Sequence, residues 1–317
     1  MDTGHVTGID LGGTKILSVC LDANLQIVGR DYRETSAEDG PEAVIERMAA
    51  SARAAAGANA LRGVAVSTPG PVDLDKGIVT TPPNLPGWHD VPLAGLISSK
   101  LGVPAWLEND ANAAALAEHR LGAGRGSQHM ILVTIGTGIG GGLILDGRLY
   151  RGASGGAGEI GHMLVEPQGR VCGCGRRGCL EAMASGGALN AVAQEVAAAE
   201  PDGVVAGLAR REGVDPDARI LDEAAEAGDT SARAAIERAG TYLGDGLTNL
   251  VNIFNPQVIV VGGSVRKSVL YLQTAVAVMQ RDAFAQHRGD VRVVEAELGD
   301  EAPAIGAALL ALDKLGA

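Results

Sequence analysis

One structural device occurs twice in this chain, and that repetition limits the folds open to it. IDLGGTK (9–15) and TIGTGIGG (134–141) each lead an apolar run into a small-residue turn containing threonine, and each continues into a second apolar run. Runs of this kind joined by glycine-rich turns read as β-hairpins. Two matching hairpins in 317 residues point to a duplicated α/β architecture, with length enough for two domains that each bury a core.

The remaining elements fall around these hairpins. Residues 5–34 give three strands, HVTGIDLG, TKILSVCLD and LQIVGRDYRE, with Gly12-Gly13 joining the first two. Val44, Ile45 and Met48 recur at helical spacing between Pro41 and Gly57, which predicts a helix. Strands are expected at 61–70 and 103–110; between them lie an irregular Pro/Gly-rich loop (71–92) containing NLPGW and a short helix, VPLAGLISSKL. ANAAALAEHRLG (111–122) is a helix stopped by Gly122. After the second hairpin and a cysteine-bearing segment, helices are predicted from Ser185 to about Ala199 and over 202–212, 217–227 and 229–254. VIVVGG (258–263) is a buried strand ending in a Gly-Gly turn, followed by a helix (265–285), a strand (291–296) and a terminal helix (302–315).

Aromatics make up only 3% of the chain, so its cores must be aliphatic, with helices in close approach. The formal net charge of −12 opposes a nucleic-acid surface, which needs a basic stripe. MDTGHVTGID has no basic segment ahead of a long apolar one, and no run reaches the roughly 18 apolar residues of a membrane span. Free thiols without a targeting segment point to the cytoplasm.

The segment EIGHMLVEPQGRVCGCGRRGCLE (159–181) gathers Cys172, Cys174 and Cys179 within eight positions, with His162 upstream and Glu159 and Glu181 at its ends. Three thiolates and one imidazole suit a structural Zn²⁺ of the Cys3His kind, whose four protein ligands leave no position for water. A reduced cysteine pair and a core histidine are the plainer reading of the same residues. The single residue between Cys172 and Cys174 is tighter than the usual spacing, and Gly173 is the residue expected to supply the backbone freedom. The metal is expected to shape a substrate site and to perform no chemistry.

IDLGGTK sets Asp10 at a strand end before Gly12, Gly13, Thr14 and Lys15. Backbone N–H groups of such a turn form an anion site, and an Asp beside phosphate suits Mg²⁺. A lone Gly-Gly hairpin is usually only a hairpin, but the second turn, Gly136-Thr137-Gly138, strengthens the reading: two such turns can clasp a polyphosphate. Gly262-Gly263 adds a third backbone approach, against which a flat group such as adenine can lie. The chain has no GxxxxGK[ST] run and no GxGxxG opening a helix after its first strand.

Asp110, in Glu108-Asn109-Asp110, falls where a buried strand ends and a helix begins. That position suits an N-cap. It equally suits a general base that orients a hydroxyl and takes its proton late in phosphoryl transfer. Asn84, Asn109, Asp110, Glu159, His162 and Glu181 offer the planar hydrogen-bonding groups that sugar recognition needs, although each alone reads as a surface residue.

Taken together, IDLGGTK, STPGPVD, NLPGW, END-AN, TIGTGIGGG, GASGGAGEIGH, CGCGRRGCLE and VGGSV resemble, in order and over nearly the whole chain, the ROK family of bacterial sugar kinases and repressors, most closely its glucokinases. The resemblance implies the actin-like, hexokinase-like (ribonuclease H-like) duplicated α/β fold with two domains and an interdomain cleft. It implies a small domain (1–111) completed by the C-terminal helix (302–317), and a large domain (112–301) with the zinc loop. It implies Asp110 as catalytic base, with Asn84, Asn109, Glu159, His162 and Glu181 on the sugar and Zn²⁺ on His162, Cys172, Cys174 and Cys179. It places ATP phosphates at Gly12, Thr14, Gly136 and Thr137 and adenosine near Gly262 and Gly263. The implied activity is ATP- and Mg²⁺-dependent phosphorylation of glucose at its 6-hydroxyl. Kinases for N-acetylmannosamine, N-acetylglucosamine, fructose or allose, and polyphosphate as donor, are the alternatives; NLPGW and Glu181 favour glucose. A sugar-responsive repressor is disfavoured by the acidic charge and by a first strand starting within a few residues of Met1, where repressors resembling these kinases carry a helix-turn-helix. A homo-oligomer, dimer or tetramer, is expected.

Overall fold

The computed structural model describes residues 4–82 and 84–316. Residues 1–3 of the N-terminal stretch, Pro83 beside NLPGW and Ala317 at the end of the expected domain-completing segment lie outside the described residues. The chain opens with β1 (His5–Leu11), β2 (Lys15–Leu21), β3 (Ile27–Glu34), α1 (Gly40–Ala56), β4 (Leu61–Thr68), β5 (Val72–Asp73), β6 (Ile78–Val79), α2 (Leu93–Leu101), β7 (Ala105–Asn109) and α3 (Asp110–Leu121). It continues with β8 (Met130–Ile135), β9 (Ile139–Leu145), β10 (Arg148–Tyr150), α4 (Leu180–Ala184), α5 (Gly186–Ala199), α6 (Val204–Glu212), α7 (Ala218–Glu226), α8 (Thr230–Phe254), β11 (Val258–Gly262), α9 (Val269–Asp282), β12 (Arg292–Glu295) and α10 (Ala302–Lys314).

The two five-stranded sheets share one order, β3-β2-β1-β4-β7 and β10-β9-β8-β11-β12. In the first, β1 pairs antiparallel with β2 and parallel with β4, which pairs parallel with β7. In the second, β11 pairs parallel with β8 and β12, and β10 antiparallel with β9. Both repeated sequence hairpins therefore occupy the same place in their sheets, which is the duplication expressed in three dimensions.

The chain packs as two units: one takes the described residues up to Gln128, Gly142–Gly158 and those from Ala296 on; the other takes His129–Gly141 and Glu159–Glu295. In the first, Ile9, Leu11, Val44, Met48, Val64, Val66, Leu85, Trp88 and Ile97 form one buried cluster around β1, β4, α1 and α2. α10 packs on β1, β4 and α3. That packing demands small residues. A Cβ on Gly8 of β1 would sit 1.9 Å from the Ala304 carbonyl oxygen, and one on Gly306 of α10 1.7 Å from that of Ala113. The second unit is built around α8, which packs on α4, α5, α7 and α9, with Gly240 and Gly244 of α8 backing onto α9.

Two expectations need correction. Residues 71–92 are not wholly irregular: β5 and β6 form a short antiparallel hairpin, and Val79 bridges Val91. Asp73 Oδ1 accepts the Lys76 N–H at 3.0 Å and Gly77 takes φ +67°, so the turn chemistry lies in DLDKG. The helix expected over 265–285 starts as a 3-10 turn at Ser264–Lys267, and α9 runs only to Asp282.

Candidate active site

In the first unit the parallel strands β1, β4 and β7 end together, with Asp10 level with Ser67 and Thr68 level with Asn109. The carboxyl ends of parallel strands are where open α/β sheets bind ligands. Asp10 is buried, and Ser67 Oγ donates to its Oδ1 at 3.1 Å. Burial and the charge of Asp110 push the Asp10 carboxyl up to about 7, against the lowering effects of Ser67 and Lys15. A carboxylate such as Asp10 at the carboxyl ends of these strands is a hard oxygen donor of the kind that suits Mg²⁺. Lys15 also forms a 3.6 Å ion pair with Asp300.

After Asp10 the chain turns through Gly12-Gly13-Thr14, closed by the Gly12 N–H donating to the Lys15 carbonyl at 2.8 Å. Thr35 braces the turn by donating its hydroxyl to the Gly12 carbonyl at 2.7 Å. A Cβ on Gly13 would lie 3.0 Å from both Cβ and carbonyl oxygen of Asn84, so the turn and the NLPGW loop touch. Leu85 and Trp88 anchor that loop in the core, leaving Asn84 exposed.

Asp110 is the first residue of α3, and it is not the cap. Asn109 is, accepting the N–H groups of Ala111 and Asn112 at 3.0 and 3.2 Å. Asp110 Oδ1 accepts the Ala111 N–H at 2.8 Å. Asn109 is the residue with extended backbone (φ −68°, ψ 145°) while Asp110 is already helical, so the N-cap reading of Asp110 is corrected. Sequence reasoning also passed over Glu108, which is 1% exposed. Its Oε2 accepts from Arg151 Nε at 2.7 Å.

In the second unit, Gly136-Thr137-Gly138 follows β8 and is closed by the Gly136 N–H donating to the Gly138 carbonyl at 3.0 Å. The N–H groups of Gly186 and Gly187, at the start of α5, donate to the Gly136 and Thr137 carbonyls at 2.8 and 3.1 Å. A Cβ on either glycine would lie 2.7 Å from the carbonyl it binds. This support has no motif of its own; the Ser-Gly-Gly at 185–187 is its only trace in the sequence. Gly263, with φ +88°, lies against Ile135, where a Cβ would meet its carbonyl oxygen at 2.2 Å. Gly262-Gly263 and the Gly136 turn thus sit together at the ends of β11 and β8.

Glu181, at the start of α4, joins this turn to the cysteine segment. Its Oε2 accepts the Ile139 N–H at 3.0 Å, and its Oε1 lies 3.8 Å from Cys172 Sγ. Glu159 is exposed just before the 3-10 turn Ile160–His162.

One donor atom from each of His162, Cys172, Cys174 and Cys179 falls within 4.8 Å of the other three. Cys174 Sγ and Cys179 Sγ are 3.7 Å apart, and Cys172 Sγ lies 3.6 Å from His162 Nδ1. Tetrahedral zinc with bonds of about 2.3 Å to sulfur and about 2.0 Å to nitrogen requires separations of about 3.8 and about 3.5 Å. The residues therefore fit the ion. Burial pushes the Cys172 thiol up to about 12 and raises Cys179, whereas Cys174, beside the Arg176 backbone N–H, is lowered. A bound cation inverts that balance for the buried pair. The glycine that the knuckle needs is not Gly173, which has open space around it and no positive φ. Gly175 (φ +87°) and Gly178 (φ +71°) take the left-handed backbone, and a Cβ on Gly178 would sit 1.5 Å from the Glu166 carbonyl oxygen.

Two sheets of one order, each with a glycine turn at the carboxyl ends of its parallel strands, define a duplicated α/β protein of the hexokinase-like kind. The ROK family pattern matches residues 6–314, and the chain belongs to that family. It is 36% identical to a glucokinase of Thermotoga maritima, with 98% of each chain covered. A ROK hexokinase from Thermus thermophilus superposes with a TM-score of 0.85 at 37% identity, covering 98% of this chain and 99% of that one. A ROK family glucokinase from Streptomyces griseus, solved in complex with glucose and AMPPNP, superposes with a TM-score of 0.83 at 35% identity, covering 98% of this chain and 100% of that one. Among the described residues, no helix is long and apolar enough to cross a membrane.

Proposed function

We propose that this protein is an ATP-dependent glucokinase that phosphorylates the 6-hydroxyl of D-glucose. The observation that carries the reading is the near-full-length likeness to a glucokinase solved with glucose and AMPPNP. Asn84, Asn109, Glu159, His162 and Glu181 hydrogen-bond the sugar, and Asp110 orients the 6-hydroxyl. The hydroxyl oxygen bonds to the γ-phosphorus as the bond from that phosphorus to the β–γ bridging oxygen breaks; the proton passes to Asp110 and ADP leaves. Backbone N–H groups of Gly12–Thr14 and Gly136–Gly138 receive the phosphates, Lys15 adds charge, and the backbone at Gly262-Gly263 supports the adenosine.

Asp10 would hold Mg²⁺, which neutralises phosphate charge when bound. His162, Cys172, Cys174 and Cys179 would hold Zn²⁺, which stiffens the loop. With His162 Nδ1 turned to the sulfurs, Nε2 is left for a sugar hydroxyl. The same reading puts the protein in the cytoplasm as a homo-oligomer, its product feeding glycolysis.

A panel of kcat/KM values tests the proposal: glucose, N-acetylmannosamine, N-acetylglucosamine, fructose and allose, each with ATP and with polyphosphate. Glucose with ATP is expected to lead by at least about tenfold. A lead of that size for another sugar or for polyphosphate would overturn it.

A further inference from the structure

Glu108 is an ionisable side chain at 1% exposure in the middle of the segment that presents Asp110. Its Oε1 accepts both the Asn109 backbone N–H and Asn112 Nδ2, each at 3.1 Å. These two residues flank Asp110, and Asn109 is also the cap of α3. Asn112 is 1% exposed, and its Oδ1 has no hydrogen-bond partner among the described residues, so Glu108 is what orients its amide. Arg151 is the cation on Glu108, through Nε at 2.7 Å. Its guanidinium is about one-third exposed, while its own carbonyl accepts the Ala157 N–H at 3.0 Å and closes the base of the GASGGA loop.

A buried carboxylate stripped of its cation is costly and either takes up a proton or moves toward water. Either response would disturb the Asn109 and Asn112 contacts on both sides of Asp110. We propose that Arg151 is a positioning residue for the phosphoryl transfer: by neutralising Glu108 it keeps the Asn109-Asp110 corner in the one geometry that points the base at the sugar hydroxyl. The inference rests on Asp110 being the base. It assigns Arg151 no contact with substrate. Misplacement of a reacting group by about 1 Å can cost on the order of a hundredfold in rate, so the effect falls on kcat.

The test is a double-mutant cycle read in steady-state kinetics on the full chain. Arg151→Met is expected to lower kcat by about a hundredfold while changing the glucose KM by less than about threefold. Adding Glu108→Gln, which removes the stranded charge but keeps an acceptor for Asn109 and Asn112, is expected to restore at least about tenfold of that loss. Losses that simply multiply, or an effect confined to KM, would overturn the proposal. Arg151→Lys covers the case in which Arg151→Met does not fold. It keeps the charge without the Nε contact and is expected to lower kcat by about tenfold at unchanged KM. Wild-type kcat in that variant would overturn the proposal as well. Asp110→Asn, run alongside, tests the base separately: retained turnover there would refute the base whatever the Arg151 series shows.

Discussion

Glu181 accepts the backbone N–H of Ile139 at 3.0 Å, so the residue that closes the cysteine segment also pins the strand leaving the Gly136-Thr137-Gly138 turn. The carboxylate lies directly over the turn: a Cβ on Gly138 would lie 2.4 Å from Glu181 Oε2, so Glu181 would have to shift to admit one. A side chain expected only on the sugar therefore also shapes the Gly136-Thr137-Gly138 turn. Glu181→Ala is expected to raise KM for ATP as well as for glucose, each by about tenfold, the loss typical of a charge-assisted hydrogen bond. Separate ATP and glucose titrations check this; an effect on glucose alone would contradict it.

The cysteine segment has few apolar residues to hold it, so the metal should carry much of its stability. The wild-type protein is expected to contain about one zinc per chain, and Cys179→Ser to lose most of it with a fall in Tm of at least about 5 °C. Cys20→Ser, in β2, should keep its zinc. Metal analysis and thermal melts decide the matter; a zinc-free wild type, or full zinc in Cys179→Ser, would contradict the assignment.

Asp10 makes a pH prediction. Its folded-state pKa is raised to about 7, so the folded protein holds that proton more tightly than the unfolded chain does. Without Mg²⁺, stability should therefore fall as pH rises from about 4 to about 7, at about 1.4 kcal/mol per unit for this group. Asp10→Asn removes the charge and should be the more stable protein above pH 7 while losing activity. Parallel melting curves for wild type and Asp10→Asn across that range would contradict the raised pKa.

Gly8 tests the close approach of α10 to β1. An alanine there places Cβ 1.9 Å from the Ala304 carbonyl oxygen, and backbone cannot swing away as a side-chain end can. Gly8→Ala is expected to cost at least about 3 kcal/mol in urea denaturation. A loss within about 0.5 kcal/mol would show that α10 does not pack this closely on β1.

Much of this was readable in the residues because the signals are local. Each strand of the repeated hairpins carries its own apolar run, and the Cys172, Cys174 and Cys179 thiols are neighbours in sequence before they are neighbours in space. What escaped sequence reading depends on contacts between distant segments. Gly186 and Gly187 matter because of the Gly136 and Thr137 carbonyls, far away in the chain. Arg151 matters because of Glu108, and nothing around either residue in the sequence announces the other. The cap of α3 cannot be read from sequence because Asn109 and Asp110 are both good cap residues in adjacent positions, and only the backbone shows which one has left the helix. Position between two cysteines points to Gly173, whereas φ places the demand on Gly175 and Gly178.

Phosphoryl transfer to the sugar depends most directly on Asp110. Steady-state turnover of Asp110→Ala with glucose and ATP, paired with calorimetric glucose binding, measures its role. Loss of kcat by at least about a thousandfold, with the glucose Kd within about fivefold of wild type, is the predicted result. A variant that keeps more than about a tenth of wild-type kcat would contradict it.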